Sequence, residues 1–187
     1  MFRIAILDNG SLHLEALRAL VPSADIFSYD HFSPAYLDAY DLVILSGGHS
    51  ISVMRHPKEF AREMRFIRNR KKPMIGICLG FELIAAAFGG ELGELPRKES
   101  GILSINATAD DPVLRGAHLI SGYEGHRWAL KDAPDALVCI AYSKDGAEII
   151  KHKNLPIYGF QFHPEISEGN DGQIIFNNFL RIARATI

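Results

Sequence analysis

The chain has 187 residues, enough for one domain with a sizeable core and too few for two full enzyme domains. Its formal charge of −2 gives no reason to expect a nucleic-acid backbone or an anionic membrane as partner. Two cysteines, Cys78 and Cys139, make no disulfide framework and fit a reducing, cytoplasmic setting.

The opening MFRIAILDNGS carries one positive charge and a four-residue apolar run that ends at Asp8, so it reads as a first strand (2–7) and not as a leader peptide. A helix is expected over 11–20, where Leu12, Leu17 and Leu20 recur beside Ala16, with Ser11 as N-cap and Pro22 past the end. A second strand (24–29) and a short helix (33–40) with Pro34 at its first position follow. Residues 41–46, DLVILS, are nearly all apolar, as a strand covered by helices on both faces requires. A helix from Pro57 to about Arg70, a strand MIGI (74–77) and a helix from Leu79 to Phe88, closed by Gly89 and Gly90, complete the first half. No apolar stretch approaches a membrane span.

Beyond residue 91 the pattern changes to short strands at 101–107, 136–143, 147–152 and 156–162, then a helix at 172–185. The βαβα rhythm of the first half implies an open, mostly parallel sheet flanked by helices, an α/β fold with right-handed crossovers. There is no repeat or linker, so the expectation is one domain over 1–187. The basic run on the helix at 57–70 places Phe60, Met64 and Ile67 toward the core and Arg62, Arg65 and Arg68 outward. That pattern reads as a solvated face, with a docking surface as the alternative.

Three stretches carry chemistry. In GICLGFE (76–82), Cys78 sits between an apolar strand and a helix, with a glycine two places before it and another two places after. A packed cysteine needs neither glycine. A nucleophile elbow needs both, because a side chain pushed out above a sheet requires close backbone approach around it. The helix that follows aims its N-terminal N–H groups at the sulfur, which favours the thiolate, and offers the Leu79 N–H to a developing oxyanion. On this stretch alone a buried core cysteine remains the alternative, and Cys139 in LVCIA fits that reading.

In YGFQFHPEI (158–166) a strand ends in His163 and Glu165, separated by one proline. Residues i and i+2 of an extended chain share a side, so the carboxylate can hold the imidazole Nδ1–H and leave Nε2 to take a thiol proton. In SGGHSISV (46–53), Gly47 and Gly48 follow the third strand, where a doubly wound sheet lines its ligand crevice. They would let a backbone N–H approach a substrate carbonyl as a second oxyanion donor. The SGG tripeptide also occurs in the pyrophosphate loop of ATP pyrophosphatases, but an aspartate follows the glycines there, and His49 and Ser50 stand here.

The elbow cysteine, the glycine pair and the His-Pro-Glu ending, in this order, resemble the triad (class I) glutamine amidotransferases over essentially the whole chain. The stretches ILDNGS, LSGGHSISV, FGGELGE and YGFQFHPEI are most similar to the amidotransferase subunits of split GMP synthetases. The resemblance implies a flavodoxin-like fold. It makes Cys78 the nucleophile, His163 the base and acid, Glu165 its orienting carboxylate, and Gly48 and Leu79 the oxyanion donors, with Gly47 and Glu82 at the substrate. It also implies L-glutamine as substrate and no cofactor or metal on this chain. ATP and Mg would belong to a separate pyrophosphatase-type synthetase that receives the ammonia, most simply for the conversion of XMP to GMP.

Four places depart from the pattern. Glu82 stands where the family has a substrate-holding glutamine, and CLGFE is also how γ-glutamyl hydrolases read here, which makes a free-standing γ-glutamyl hydrolase the alternative. His49 replaces the usual proline of the oxyanion loop. Trp128 in EGHRW stands where GMP synthetases have aspartate, leaving His126 either facing an acceptor or structural, and the aromatic expected in RKESG (97–101) is missing.

Overall fold

A computed structural model of the chain describes residues 2–48, 51–117, 119–166, 169 and 171–187. The first half runs β1 (Ile4–Asn9), α1 (Leu14–Leu20), β2 (Asp25–Ser28), α2 (Pro34–Asp38), β3 (Leu42–Gly48), α3 (Ala61–Asn69), β4 (Met74–Ile77) and α4 (Leu79–Ala87). The second half runs β5 (Leu92–Glu94), β6 (Gly101–Ala107), β7 (Leu119–Glu124), β8 (Trp128–Leu130), β9 (Leu137–Tyr142), β10 (Ala147–His152), β11 (Ile157–Phe160) and α5 (Gly172–Ala185), with a 3-10 turn at Pro112–Leu114.

Nine strands form one sheet in the order β2-β1-β3-β4-β11-β10-β9-β6-β7. From β2 to β11 the pairs are parallel, and from β11 to β7 they are antiparallel. β5 and β8 make a separate antiparallel ribbon. The parallel half explains its own apolar strands. Ile4 and Ile6 of β1 pack into one core with Leu17 of α1 and Phe176 and Phe179 of α5. Ala5 and Leu7, on the other face, pack with Phe66 and Ile67 of α3 and Phe81 and Ile84 of α4. Alternate residues of one strand thus feed two cores, so the run from Ile4 to Leu7 must be apolar at every position.

α4 is buried along almost its whole length because β3 and β4 cover one side of it and α3 and β8 cover others. It ends in a Schellman arrangement, with Gly90 N donating to Ala85 O, Gly89 N donating to Ala86 O, and Gly89 at φ +92°.

Several boundaries differ from the sequence reading. α1 starts at Leu14, not Ser11, because Asp8 Oδ1 takes the Gly10 and Ser11 N–H groups and Ser11 Oγ takes that of His13, so 10–13 become a turn. Leu12 then lies on that turn, exposed, and not on a core face. α3 begins at Ala61, since residues 57–60 form a turn ahead of it, and Met64 is only half-buried while Phe66 and Glu63 go inward. Arg62, Arg65 and Arg68 do face outward. Arg62 folds back onto the Asp30 and Phe32 carbonyls, and Arg68 reaches the Ala87 carbonyl, so two of the three are used within the chain.

The sequence pattern gives no strands at β5, β7 and β8, which are short or broken by glycine. Gly122, in the middle of β7, has no room for a side chain, because a Cβ there would sit 2.6 Å from Ile105 Cδ1 and 3.0 Å from Phe162 Cβ. That packing need, which erases the strand signal, is tertiary. His49 and Ser50, which set the oxyanion loop apart from the family pattern, lie outside the described residues.

Candidate active site

Cys78 occupies the turn between β4 and α4 at φ 50° and ψ −103°, the one non-glycine at positive φ among the described residues. Such a conformation costs on the order of 1–3 kcal/mol and persists only where the surroundings fix it. Here Cys78 N donates to Phe160 O of β11 at 2.8 Å, and Glu82 N donates to Cys78 O at 3.0 Å. The two flanking glycines are explained by close approach. A Cβ on Gly76 would run into the Gly80 carbonyl, and one on Gly80 would run into the Leu45 carbonyl of β3. The sequence therefore spends both glycines on seating the first turn of α4 directly on the sheet, which leaves the thiol at the helix N-terminus.

His163 follows β11, and its backbone N–H donates to Tyr123 O of β7 at 2.8 Å. Its Nδ1 lies 2.8 Å from Glu165 Oε1, and the ring hydrogen-bonds the Cys78 thiol. All three side chains are buried. Burial pushes the Cys78 thiol up, and the neighbouring imidazole pulls it down. Burial would lower His163, but Cys78 and Glu165 outweigh it and push the imidazolium up to about 10. The geometry is that of a thiol whose proton has a base to go to, with the base's tautomer fixed by a carboxylate. Cys139 is also buried, but its Sγ faces the Ala141 carbonyl at 3.0 Å, as the core-cysteine reading expects.

The other sequence candidates converge on the same cleft, a cavity of about 480 Å³ that has Cys78, His163, Gly48, Leu79 and Glu82 on its walls. Gly47 lies against the ring: a Cβ there would be 3.1 Å from His163 Cε1 and 3.7 Å from Cys78 Cβ. Leu79 opens α4, and the first helical bond starts at Glu82 N, so the Leu79 N–H has no intrahelical acceptor. Glu82 is 5% exposed and lies beside Gln161; burial pushes its carboxyl up to about 8, against a smaller pull down from Gln161.

Sequence reasoning missed His13, Tyr123 and Gly125. The His13 ring stands 5.1 Å from that of His163, edge to face, and the Tyr123 ring stands 6.3 Å away. Gly125 lies over the imidazole, with room for a Cβ 3.5 Å from Nε2. His13 carried no signal because it sat inside an expected helix face. Tyr123 sat in a strand that the pattern concealed, and Gly125 directly follows it.

His126, left open between two roles, is buried, lines the cleft and holds its Nδ1 2.9 Å from Glu124 Oε2. Ser143 Oγ donates to Glu148 Oε1 at 2.6 Å, while Glu124 Oε1 and Glu148 Oε2 are buried without a hydrogen-bond partner among the described residues. Among the described residues, Glu124, His126 and Glu148 are the one group with donor atoms close enough for a metal, within 4.8 Å of one another. Burial first, and then the nearby Glu124 charge, push Glu148 well above the usual carboxylate range, and burial pushes His126 down. Trp128 is half-buried at the start of β8, under Arg55, whose guanidinium carbon is 5.6 Å from the ring centre.

A strained cysteine at a helix N-terminus, backed by a histidine and a glutamate in an α/β sheet, defines the class, and the comparisons with known proteins agree. Residues 5–183 match the family glutamine amidotransferase class-I, and the chain belongs to that family. A protein of Ignicoccus hospitalis, named as a glutamine-hydrolysing subunit of GMP synthase, is 32% identical over 149 residues, which cover 78% of this chain and 77% of that one. A Methanocaldococcus jannaschii protein of the same name is 29% identical over 187 residues, covering 96% of both. The crystal structure of a Thermoplasma acidophilum protein, described as a candidate subunit of GMP synthase, superposes with a TM-score of 0.89 at 26% identity, covering 100% of this chain and 96% of that one.

Proposed function

We propose that the chain is the glutamine-hydrolysing subunit of a two-chain amidotransferase, a single glutaminase domain that releases ammonia from L-glutamine for a separate ATP-pyrophosphatase-type synthetase making GMP from XMP. The observation that carries this reading is the linked set Cys78, His163 and Glu165 at the end of one cleft, with Cys78 held at positive φ. The names borne by the Ignicoccus and Methanocaldococcus relatives support the choice of reaction and of partner.

In this reading the Cys78 proton rests on His163 Nε2, whose imidazolium is pushed up to about 10, and the Sγ thiolate attacks the side-chain amide carbon of glutamine. The tetrahedral oxyanion forms between the N–H groups of Leu79 and Gly48, each worth about 3 kcal/mol of transition-state stabilisation. His163 protonates the departing amide nitrogen, ammonia leaves, and a γ-glutamyl thioester remains on Cys78. A water deprotonated by His163 then attacks the thioester, glutamate leaves, and the thiol recovers its proton, so glutamine and water become glutamate and ammonia. Glu165 keeps Nε2 facing the sulfur throughout. No cofactor takes part on this chain; ATP and Mg act on the synthetase. Such a pair works in the cytoplasm, and no helix among the described residues is long and apolar enough to cross a membrane.

The test is glutamate and ammonia release by the purified chain, alone and with a pyrophosphatase-type synthetase, XMP, ATP and Mg. Glutaminase activity that rises when the charged synthetase is added, with GMP formed from glutamine, is the expected result. Full turnover of γ-glutamyl peptides without any partner would instead establish the γ-glutamyl hydrolase reading.

A further inference from the structure

We propose that Glu82 works with its proton on, as a neutral carboxylic acid that offers the bound substrate one donor and one acceptor and keeps negative charge away from the Cys78 sulfur. The substrate half of this rests on the glutaminase reading; the half that concerns Cys78 does not.

Glu82 is four residues past Cys78, its N–H closes the first turn of α4 on the Cys78 carbonyl at 3.0 Å, and the two side chains line the same cleft. Helical side chains lean toward the N-terminus, and here that direction leads to the sulfur and the cleft that both residues line. The side chain that acts on the carboxyl is Gln161, a neutral amide.

The titratable and charged groups that share its cleft are Cys78 and His163, His13, His56, Tyr123 and His126, and the cations Arg55, Lys98 and Arg127. Glu63 on α3 is turned to Asn9 instead. Burial dominates over all of these and holds the Glu82 proton up to about 8. An ionised Glu82 would raise the Cys78 thiol further, against the pull of His163. A protonated carboxyl has one O–H donor and one carbonyl acceptor, the same inventory as one edge of a primary amide. Below about pH 8 Glu82 can therefore read a polar substrate group without placing a second negative charge beside the nucleophile.

Three measurements on the full chain and its Glu82→Gln variant test this. Infrared difference spectra between the two should show the carbonyl stretch of a protonated carboxyl in the wild type at about pH 7, lost as pH passes about 8. Alkylation of Cys78 by iodoacetamide, in a Cys139→Ala background, should fall behind that of the variant only above that pH. KM for glutamine should rise roughly tenfold per pH unit above the transition in the wild type, as a required proton is lost, and stay flat in the variant. A carboxylate signal already present below the transition, or superimposable alkylation curves, would overturn the proposal. If glutamine is not turned over at all, the functional reading fails, and the infrared and alkylation measurements still decide the state of Glu82.

Discussion

The Asn9 side-chain amide donates to Glu63 Oε1 at 3.2 Å, and both residues are buried. The same amide donates to the Ser46 carbonyl at 3.3 Å, while Asn9 N–H donates to Ser46 Oγ at 2.9 Å. Asn9 ends β1 and Ser46 immediately precedes Gly47, so this knot ties the strand that carries the glycine pair to α3 and β1. Glu63→Ala would leave the buried amide short of an acceptor and should cost about 1–3 kcal/mol. Glu63→Gln keeps an acceptor in place and should cost less. Urea unfolding of the two variants checks the order, and equal losses would remove the knot from the account.

Glu63 also sets a pH dependence. Burial pushes its carboxyl up to about 8, with Asn9 pulling it down by less. The folded state therefore holds this proton more tightly than the unfolded chain, where a glutamate titrates near ~4.3. The contribution to stability is complete below that value and is lost as pH rises through about 8. Urea midpoints measured from about pH 5 to about pH 9 should fall with pH, and Glu63→Gln should fall less steeply.

The two cysteines separate by function. Cys78→Ala should abolish glutamine hydrolysis and leave the positive φ in place, since the backbone bonds from Cys78 N to Phe160 O and from Glu82 N to the residue 78 carbonyl remain. Cys139→Ala removes a buried sulfur that faces the Ala141 carbonyl, so it should lower stability by about 1 kcal/mol and keep turnover. Equal losses of activity from both would refute the elbow assignment.

Glu165→Gln probes the imidazole. Burial works to lower His163, while Cys78 and Glu165 raise it, so removing the Glu165 charge should bring the imidazolium below about 10 and shift the alkaline limb of kcat to lower pH. Loss of the tautomer lock should reduce kcat by on the order of 10²–10⁴. A kcat profile parallel to the wild type and within about twofold of it, roughly the noise of such assays, would assign Glu165 to packing alone.

Much of this site was legible because its chemistry is local. Gly76, Cys78 and Gly80 encode the elbow within a single turn of chain, and His163 and Glu165 encode the base across one proline, since the backbone alone sets which side each faces. The parallel half of the sheet was legible for the same reason: Ile4–Leu7 of β1 and Leu42–Leu45 of β3 must feed two cores and so are apolar. What escaped was set across the chain. β7 hides behind Gly122, whose bare Cα is needed for Phe162, and with it went Tyr123 and Gly125. Glu63 gave no local signal because its partner, Asn9, is 54 residues away. The state of Glu82 depends on burial, which no short local pattern reports.

The neighbouring glycines Gly47 and Gly48 should fail differently when given a methyl group. At Gly47 the added Cβ would stand 3.1 Å from His163 Cε1, and that ring is already held by Glu165, Cys78 and the edge of His13, so it can yield only by leaving its hydrogen bonds. At Gly48 the first obstacle is the Leu79 side-chain tip, which can rotate away, and the next is the Asn9 carbonyl at 3.0 Å, which the knot to Glu63 holds in place. Gly47→Ala should therefore act on the base: kcat should drop by on the order of 10-fold or more with the fold intact, since a small misplacement of a catalytic group carries a large rate cost. Gly48→Ala should act on the strand end and on the amide assigned to the oxyanion, lowering stability by about 1–3 kcal/mol and kcat with it. Urea unfolding beside steady-state glutamine hydrolysis separates the two. A Gly47→Ala protein with unchanged kcat would mean that His163 can move without penalty, and the rigid base on which the mechanism depends would be lost.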